Sequence, residues 1–265
     1  MNPPWVLLRG LTREAGHWGP FLPLLRQHLP EGTPVLTPDL AGNGHRFAQT
    51  SATSVDAMAQ DVRQQLQAIE RTHGWAPPYR VLAMSLGAMV TVAWQDQWPH
   101  EVASAVLINT SLKPFNPFWQ RLQPPQYLRV LRMFAHASNA SLQETSVLAM
   151  TTRGGRSDAE TLTSWLDLRA RHPVQAHNAL RQLWAAARYR APARSPRTPT
   201  LLLHSQGDAM VAPACTGTLA KAWGCPVRTH PWAGHDLPHD DGPWVVAEVL
   251  QWLRTLDQTT STSGR

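Results

Sequence analysis

The sequence is poor in cysteine: Cys215 and Cys225 are the only two, and they form no C-x-x-C pair. Neither a disulfide framework nor a zinc site is indicated by that count and spacing. At 265 residues the chain builds a core without such staples. Long apolar runs are missing as well. The N-terminal stretch MNPPWVLLRG has no basic leader and only a short apolar run, so neither a signal peptide nor a membrane span is expected. A cytoplasmic protein with no membrane partner follows, and the sequon at Asn109 is a chance match. There are no internal repeats.

Acidic residues are scarce in one place. Residues 121 to 197 hold twelve arginines, no lysine and four carboxylates, against a charge of +6 for the whole chain. Arginine without lysine or Gly/aromatic interleaving, and without a binding motif, argues against nucleic acid. Glu144, Asp158, Glu160 and Asp167 are the only acids there, too few to hold a substrate ammonium, which argues against a proline-releasing aminopeptidase.

What is present is an alternation of short β-like runs with helical patterns, the signature of βα units and a parallel sheet. The strand candidates are WVLL (5–8), PVLT (34–37), YRVLAM (79–84), SAVLIN (104–109), TLLLH (200–204) and PVRTH (226–230). Between them, Val55, Met58, Val62, Leu66 and Ile69 recur at helical spacing, with Ser54 as N-cap and Gly74 as stop. Further helices are expected over 86–98 and 244–256. From 111 to 197 the strand rhythm stops and the composition turns helical. The expectation is an α/β core, 1–110 and 198–265, around a helical cap, 111–197, with TTSTSGR as a frayed tail.

In VLAMSLGAM, Ser85 follows a strand and opens a helix. A turn that tight needs small residues two before and two after the serine, here Ala83 and Gly87. A serine hydroxyl needs a neighbouring base to become a nucleophile. HSQGDAMVAP supplies Asp208 just after a strand, and PWAGHDLPHD supplies His235 in the loop after the last one. Each residue alone is commonplace in a turn. Serine, acid and histidine in that order, each at a strand end, are the order of a hydrolase triad. Backbone amides of Leu86 and of Leu11, in RGLTREAGHW, are the expected oxyanion donors. His239 with Asp236, Asp240 and Asp241 has poor spacing for a metal, and no metal or cofactor is expected.

These motifs, together with PDLAGNGH after the second strand and AGHD near the end, resemble the α/β-hydrolase superfamily, within it the small cap-bearing serine esterases. The resemblance implies a sheet with an activated serine at its edge under a lid, and catalytic residues at Ser85, Asp208 and His235. Where that family has His-Gly before the oxyanion residue, this chain has Arg9-Gly10. Arg9 then has three possible roles: holding the oxyanion loop, facing an anionic substrate group, or forming a salt bridge. Within the cap, Trp119, Trp165 and Trp184 are candidates to line an acyl pocket, beside Phe115 and Phe118, with arginines at its rim.

The expected activity is hydrolysis of a carboxylic ester or thioester through an acyl-enzyme. The substrate is a small molecule with an anionic acyl group, or one carried by an acyl carrier protein; the enzyme is a monomer or homodimer. A carbon-carbon bond hydrolase of the same fold and a non-catalytic binding module are the alternatives.

Overall fold

The computed structural model describes residues 3–154 and 158–262. Six parallel strands form one sheet: β1 (Trp5–Leu8), β2 (Val35–Leu36), β3 (Tyr79–Met84), β4 (Val102–Ile108), β5 (Thr200–Ser205) and β6 (Val227–His230), in the order β2-β1-β3-β4-β5-β6. The helices are α1 (Phe21–His28), α2 (Val55–His73), α3 (Leu86–Gln97), α4 (Phe118–Arg121), α5 (Tyr127–Ala135), α6 (Ala140–Thr151), α7 (Asp158–Arg171), α8 (Ala176–Arg188), α9 (Ala214–Trp223), α10 (Leu237–Asp240) and α11 (Gly242–Thr262).

Successive strand side chains point to opposite faces, and both faces are covered, which is why the strands read as unbroken apolar runs. Val6, Leu8, Val81, Ala83 and Leu107 pack with Val62 and Leu66 of α2 and Trp94 of α3. Trp5, Leu7, Leu82, Val106 and Leu203 pack on the other side with Phe21 and Leu25 of α1 and Val249 and Trp252 of α11. Burying a side chain of this size stabilises by about 1.5–3 kcal/mol, so each layer holds its helices firmly.

The expected caps of α2 are in place: Ser54 accepts a hydrogen bond from the Ala57 amide, and Gly74 takes φ 71. β2 is shorter than expected because it is an edge strand with only two register partners on β1. α11 runs past Leu256 to Thr262, through most of the expected tail; residues 263–265 lie outside the described residues. α1 and α9 were not expected from the sequence.

Helices α4 to α8 all lie in the inserted segment between β4 and β5. Its two ends meet, with Lys113 bridged to Arg190 and the Ala191 amide donating to the Lys113 carbonyl at 2.7 Å. Among the described residues no helix is long and apolar enough to cross a membrane.

Candidate active site

Ser85 sits at the junction of β3 and α3 with φ 53 and ψ −119. A non-glycine residue at positive φ is a strained position that surrounding contacts must hold. The Ser85 amide donates to the Ile108 carbonyl at 3.0 Å, and Thr110 Oγ1 donates to the Ser85 carbonyl at 3.2 Å. The need for a small residue at 87 is visible: a Cβ there would lie 2.6 Å from the carbonyl oxygens of both Leu8 and Arg9. A side chain on Gly10 would press on the Ser85 Cβ at 3.1 Å.

Asp208 follows β5. Its Oδ1 accepts from the Met210 and Val211 amides at 2.8 and 2.9 Å, which aims Oδ2 at His235 Nδ1, 2.8 Å away. Both side chains are buried. Burial opposes charging the imidazole, but the Asp208 carboxylate outweighs it by charge and hydrogen bond, so the His235 pKa lies above the ordinary histidine value.

Ser85 and His235 line one cavity of about 220 Å³, with Leu11, Leu86 and Arg9 also in its wall. Asp208 stands behind His235. Leu86 is the first residue of α3, where a helical amide has no partner within the helix. The structure thus brings together the three triad candidates and both oxyanion candidates.

Arg9 makes a buried bidentate ion pair with Asp236, at 3.1 and 2.5 Å, and its guanidinium lies 4.9 Å from the Trp18 ring. Of its three expected roles the geometry is that of the salt bridge. The other carboxylates of this loop are engaged too: Asp240 accepts from the Gly234 and Arg153 amides, and Asp241 pairs with His230 at 3.1 Å.

The aromatic candidates are not where the sequence reading put them. Trp119 and Trp184 are half-exposed on the outside, Trp165 is buried beneath the Arg13 guanidinium at 4.4 Å, and none of the three reaches the cavity wall. Phe118 is exposed, and Phe115 packs on Trp223. The inserted segment instead lines the cavity with Val130, Met133, Phe134, Val147, Met150 and Leu183. α5 is apolar on two sides, with Leu128 and Leu131 pointing out, so composition could not tell which face turns inward.

The sequence reading missed Asn109. It directly follows β4 at φ 46, and its side-chain amide donates to the carbonyls of His235 at 2.8 Å and Gly234 at 3.1 Å, while its Oδ1 accepts from the Ser205 amide at 2.9 Å. Its signal was a polar residue at the C-terminal end of a buried strand.

A family model described as "Serine aminopeptidase, S33" matches residues 6–241. A pimeloyl-[acyl-carrier protein] methyl ester esterase from Aromatoleum aromaticum is 28% identical over 227 residues, covering 83% of this chain and 85% of that protein. Among solved structures, a thermophilic esterase from Thermogutta terrifontis superposes with a TM-score of 0.73 at 20% identity, covering 96% of this chain and 90% of the other. An enol-lactonase from Burkholderia xenovorans gives 0.74 at 19% identity, covering 96% and 92%. The two structures share the fold.

Proposed function

Because the chain belongs to the serine aminopeptidase S33 family of α/β-hydrolases, we propose that it is an esterase in which Ser85, His235 and Asp208 work as a triad beneath a helical cap formed by 111–197. The observation that carries this reading is the buried Asp208–His235 pair facing the same cavity as a serine held at a strained strand-to-helix turn. Ser85 Oγ attacks the ester carbonyl as His235 takes its proton. The Leu11 and Leu86 amides receive the oxyanion, and His235 returns the proton to the departing alcohol. Water then attacks the acyl-enzyme, giving its proton to His235, and the carboxylic acid leaves with Ser85 restored.

The cavity is lined mainly by apolar side chains, and its charged wall carries a positive excess. Four arginines stand against two carboxylates: Arg9 pairs with Asp236, Arg13 and Arg169 share Glu144, and Arg121 donates to the carbonyls of Ala186 and Ala187, while Arg13 Nη2 and Arg121 Nε are buried without a hydrogen-bond partner among the described residues. The same pairing occupies Glu144 and Asp236, the carboxylates of the cavity wall, so nothing there receives the ammonium that an aminopeptidase substrate presents.

Exposed positive charge lies on the outside as well. On α5, Arg129 and Arg132 are exposed beside Leu128 and Leu131, and on α8 Arg188 is exposed over the Trp184 ring. This outer face suits an acidic acyl carrier protein, in keeping with the name of the curated relative, while the chain itself enters the apolar cavity.

The test is hydrolysis of p-nitrophenyl esters from acetate to decanoate, alongside fluorophosphonate labelling. Labelling and turnover that vanish together in a folded Ser85→Ala variant are expected. A folded wild type that neither labels nor turns over would sink the triad assignment. Added salt should slow hydrolysis of an acyl-carrier substrate and leave a p-nitrophenyl ester unaffected; equal responses would remove the carrier.

A further inference from the structure

Three consecutive residues of the loop after β1 each bond to a different part of the cap. The Thr12 amide donates to Gln182 Oε1 of α8 at 2.8 Å, Arg13 pairs with Glu144 of α6 at 2.6 Å, and Glu14 pairs with His172, just beyond α7, at 2.8 Å. The second is an ion pair and the third a side-chain hydrogen bond. The contact from Gln182 differs, because it falls on the strained residue of the loop.

Thr12 takes φ 59, a conformation costly for a β-branched side chain. It occupies the third position of a turn closed by the Arg13 amide on the Gly10 carbonyl at 3.2 Å, a position that ordinarily calls for glycine when φ is positive. That carbonyl belongs to the same planar peptide unit as the Leu11 amide. The closed turn therefore fixes the direction in which the Leu11 N–H points.

Gln182 is fully buried and all of its polar atoms are engaged. Besides accepting from Thr12, its Nε2 donates to Asn43 Oδ1 at 2.8 Å and to Ser51 Oγ at 3.0 Å. Asn43 in turn donates from Nδ2 to the Arg13 carbonyl at 3.0 Å. One cap side chain thus holds the strained half of the turn at both its ends. We infer that Gln182 is a positioning residue that keeps the oxyanion donor Leu11 in place, so that the oxyanion hole is complete only while α8 is seated on the core. This inference rests on the esterase reading above.

A kinetic cycle tests it. Gln182→Met removes the hydrogen bonds at similar volume, and Thr12→Gly removes the strain they hold. Gln182→Met alone should lower kcat by roughly 10–100-fold with KM little changed, because the lost group acts on the transition state. In a Thr12→Gly background the same substitution should lower kcat by less than about threefold, since glycine holds positive φ unaided. Equal losses in the two backgrounds overturn the inference. So does a Gln182→Met enzyme that has lost thermal stability but kept its kcat, or one whose KM alone has risen. Should Gln182→Met not fold, Gln182→Asn, which draws the acceptor back from Thr12, runs the same cycle. Turnover and labelling of the wild type are measured first, so failure of the esterase reading appears there, before any variant is compared.

Discussion

Removing one partner of the Arg9–Asp236 pair should cost far more than removing both. The two side chains are 4% and 3% exposed, so Asp236→Asn leaves a buried guanidinium without its counter-charge and Arg9→Met leaves a buried carboxylate. An uncompensated buried charge costs about 3–5 kcal/mol, which in a domain of this size lowers Tm by roughly 6–20 °C. The double variant Arg9→Met/Asp236→Leu keeps an apolar plug against Trp18 and should fall within about 2 kcal/mol of the wild type. Urea unfolding followed by the fluorescence of the twelve tryptophans gives the coupling directly.

The pair carries a second, kinetic signature. Asp236 favours the His235 imidazolium and Arg9 opposes it. Asp236→Asn should therefore move the acid limb of kcat/KM to lower pH, and Arg9→Met should move it to higher pH. Burial would raise the Asp236 pKa, but the charge and hydrogen bonds of Arg9 more than offset it, so the pKa is lowered. A lowered carboxyl pKa gives stability that is present above the unfolded value of about 3.9 and lost as pH falls through the folded one. The penalty of Asp236→Asn should accordingly be full at neutral pH and shrink only in strong acid, whereas Arg9→Met leaves burial to raise the Asp236 pKa, so its penalty should already shrink as pH falls toward the ordinary carboxylate value. Single variants within about 1 kcal/mol of the wild type, or a double variant as unstable as the two singles summed, would refute this account.

In the proposed mechanism the neutral form of His235 is the base, and its pKa is raised, so the acid limb of kcat/KM should lie above about pH 6.5; Asp208→Asn should lower that limb and cut kcat by roughly 10⁴-fold, and full activity in this variant would sink the acid assignment. Gly87→Ala, forced 2.6 Å from two backbone carbonyls, should cost about 1–3 kcal/mol with a loss of turnover, read by urea midpoint and esterase rate. Asn109→Ala frees the backbone of His235 and should reduce kcat by roughly 10–100-fold with smaller changes in KM; stopped-flow acylation rates would show whether the chemical step is the one affected.

Much of the fold was legible because parallel strands buried on both faces announce themselves as short apolar runs, and Ser54 and Gly74 mark the ends of α2. The order Ser85, Asp208, His235 was legible for the same reason: each follows a recognisable strand. Contacts made across the chain were not. Asp236 stands 227 positions from Arg9 and Gln182 stands 170 from Thr12, and no local pattern links them. The tryptophans misled because size and apolarity do not say which side of a helix is covered: on α8 Trp184 is exposed while its neighbour Leu183 lines the cavity.

The cavity wall also defines where this molecule can be altered. Around Ser85, helix and strand backbones touch at Gly87, leaving no volume to add or remove. In the proposed mechanism the acyl side is built from side chains on α5 and α6, including Val130, Met133 and Val147, none of which belongs to a strand. Methionine and valine differ from phenylalanine or alanine by a few carbon atoms, so chain-length preference should behave as a dial set one helical turn at a time, while the chemistry beneath it stays the same. Redesign toward other acyl chains therefore begins in these two helices.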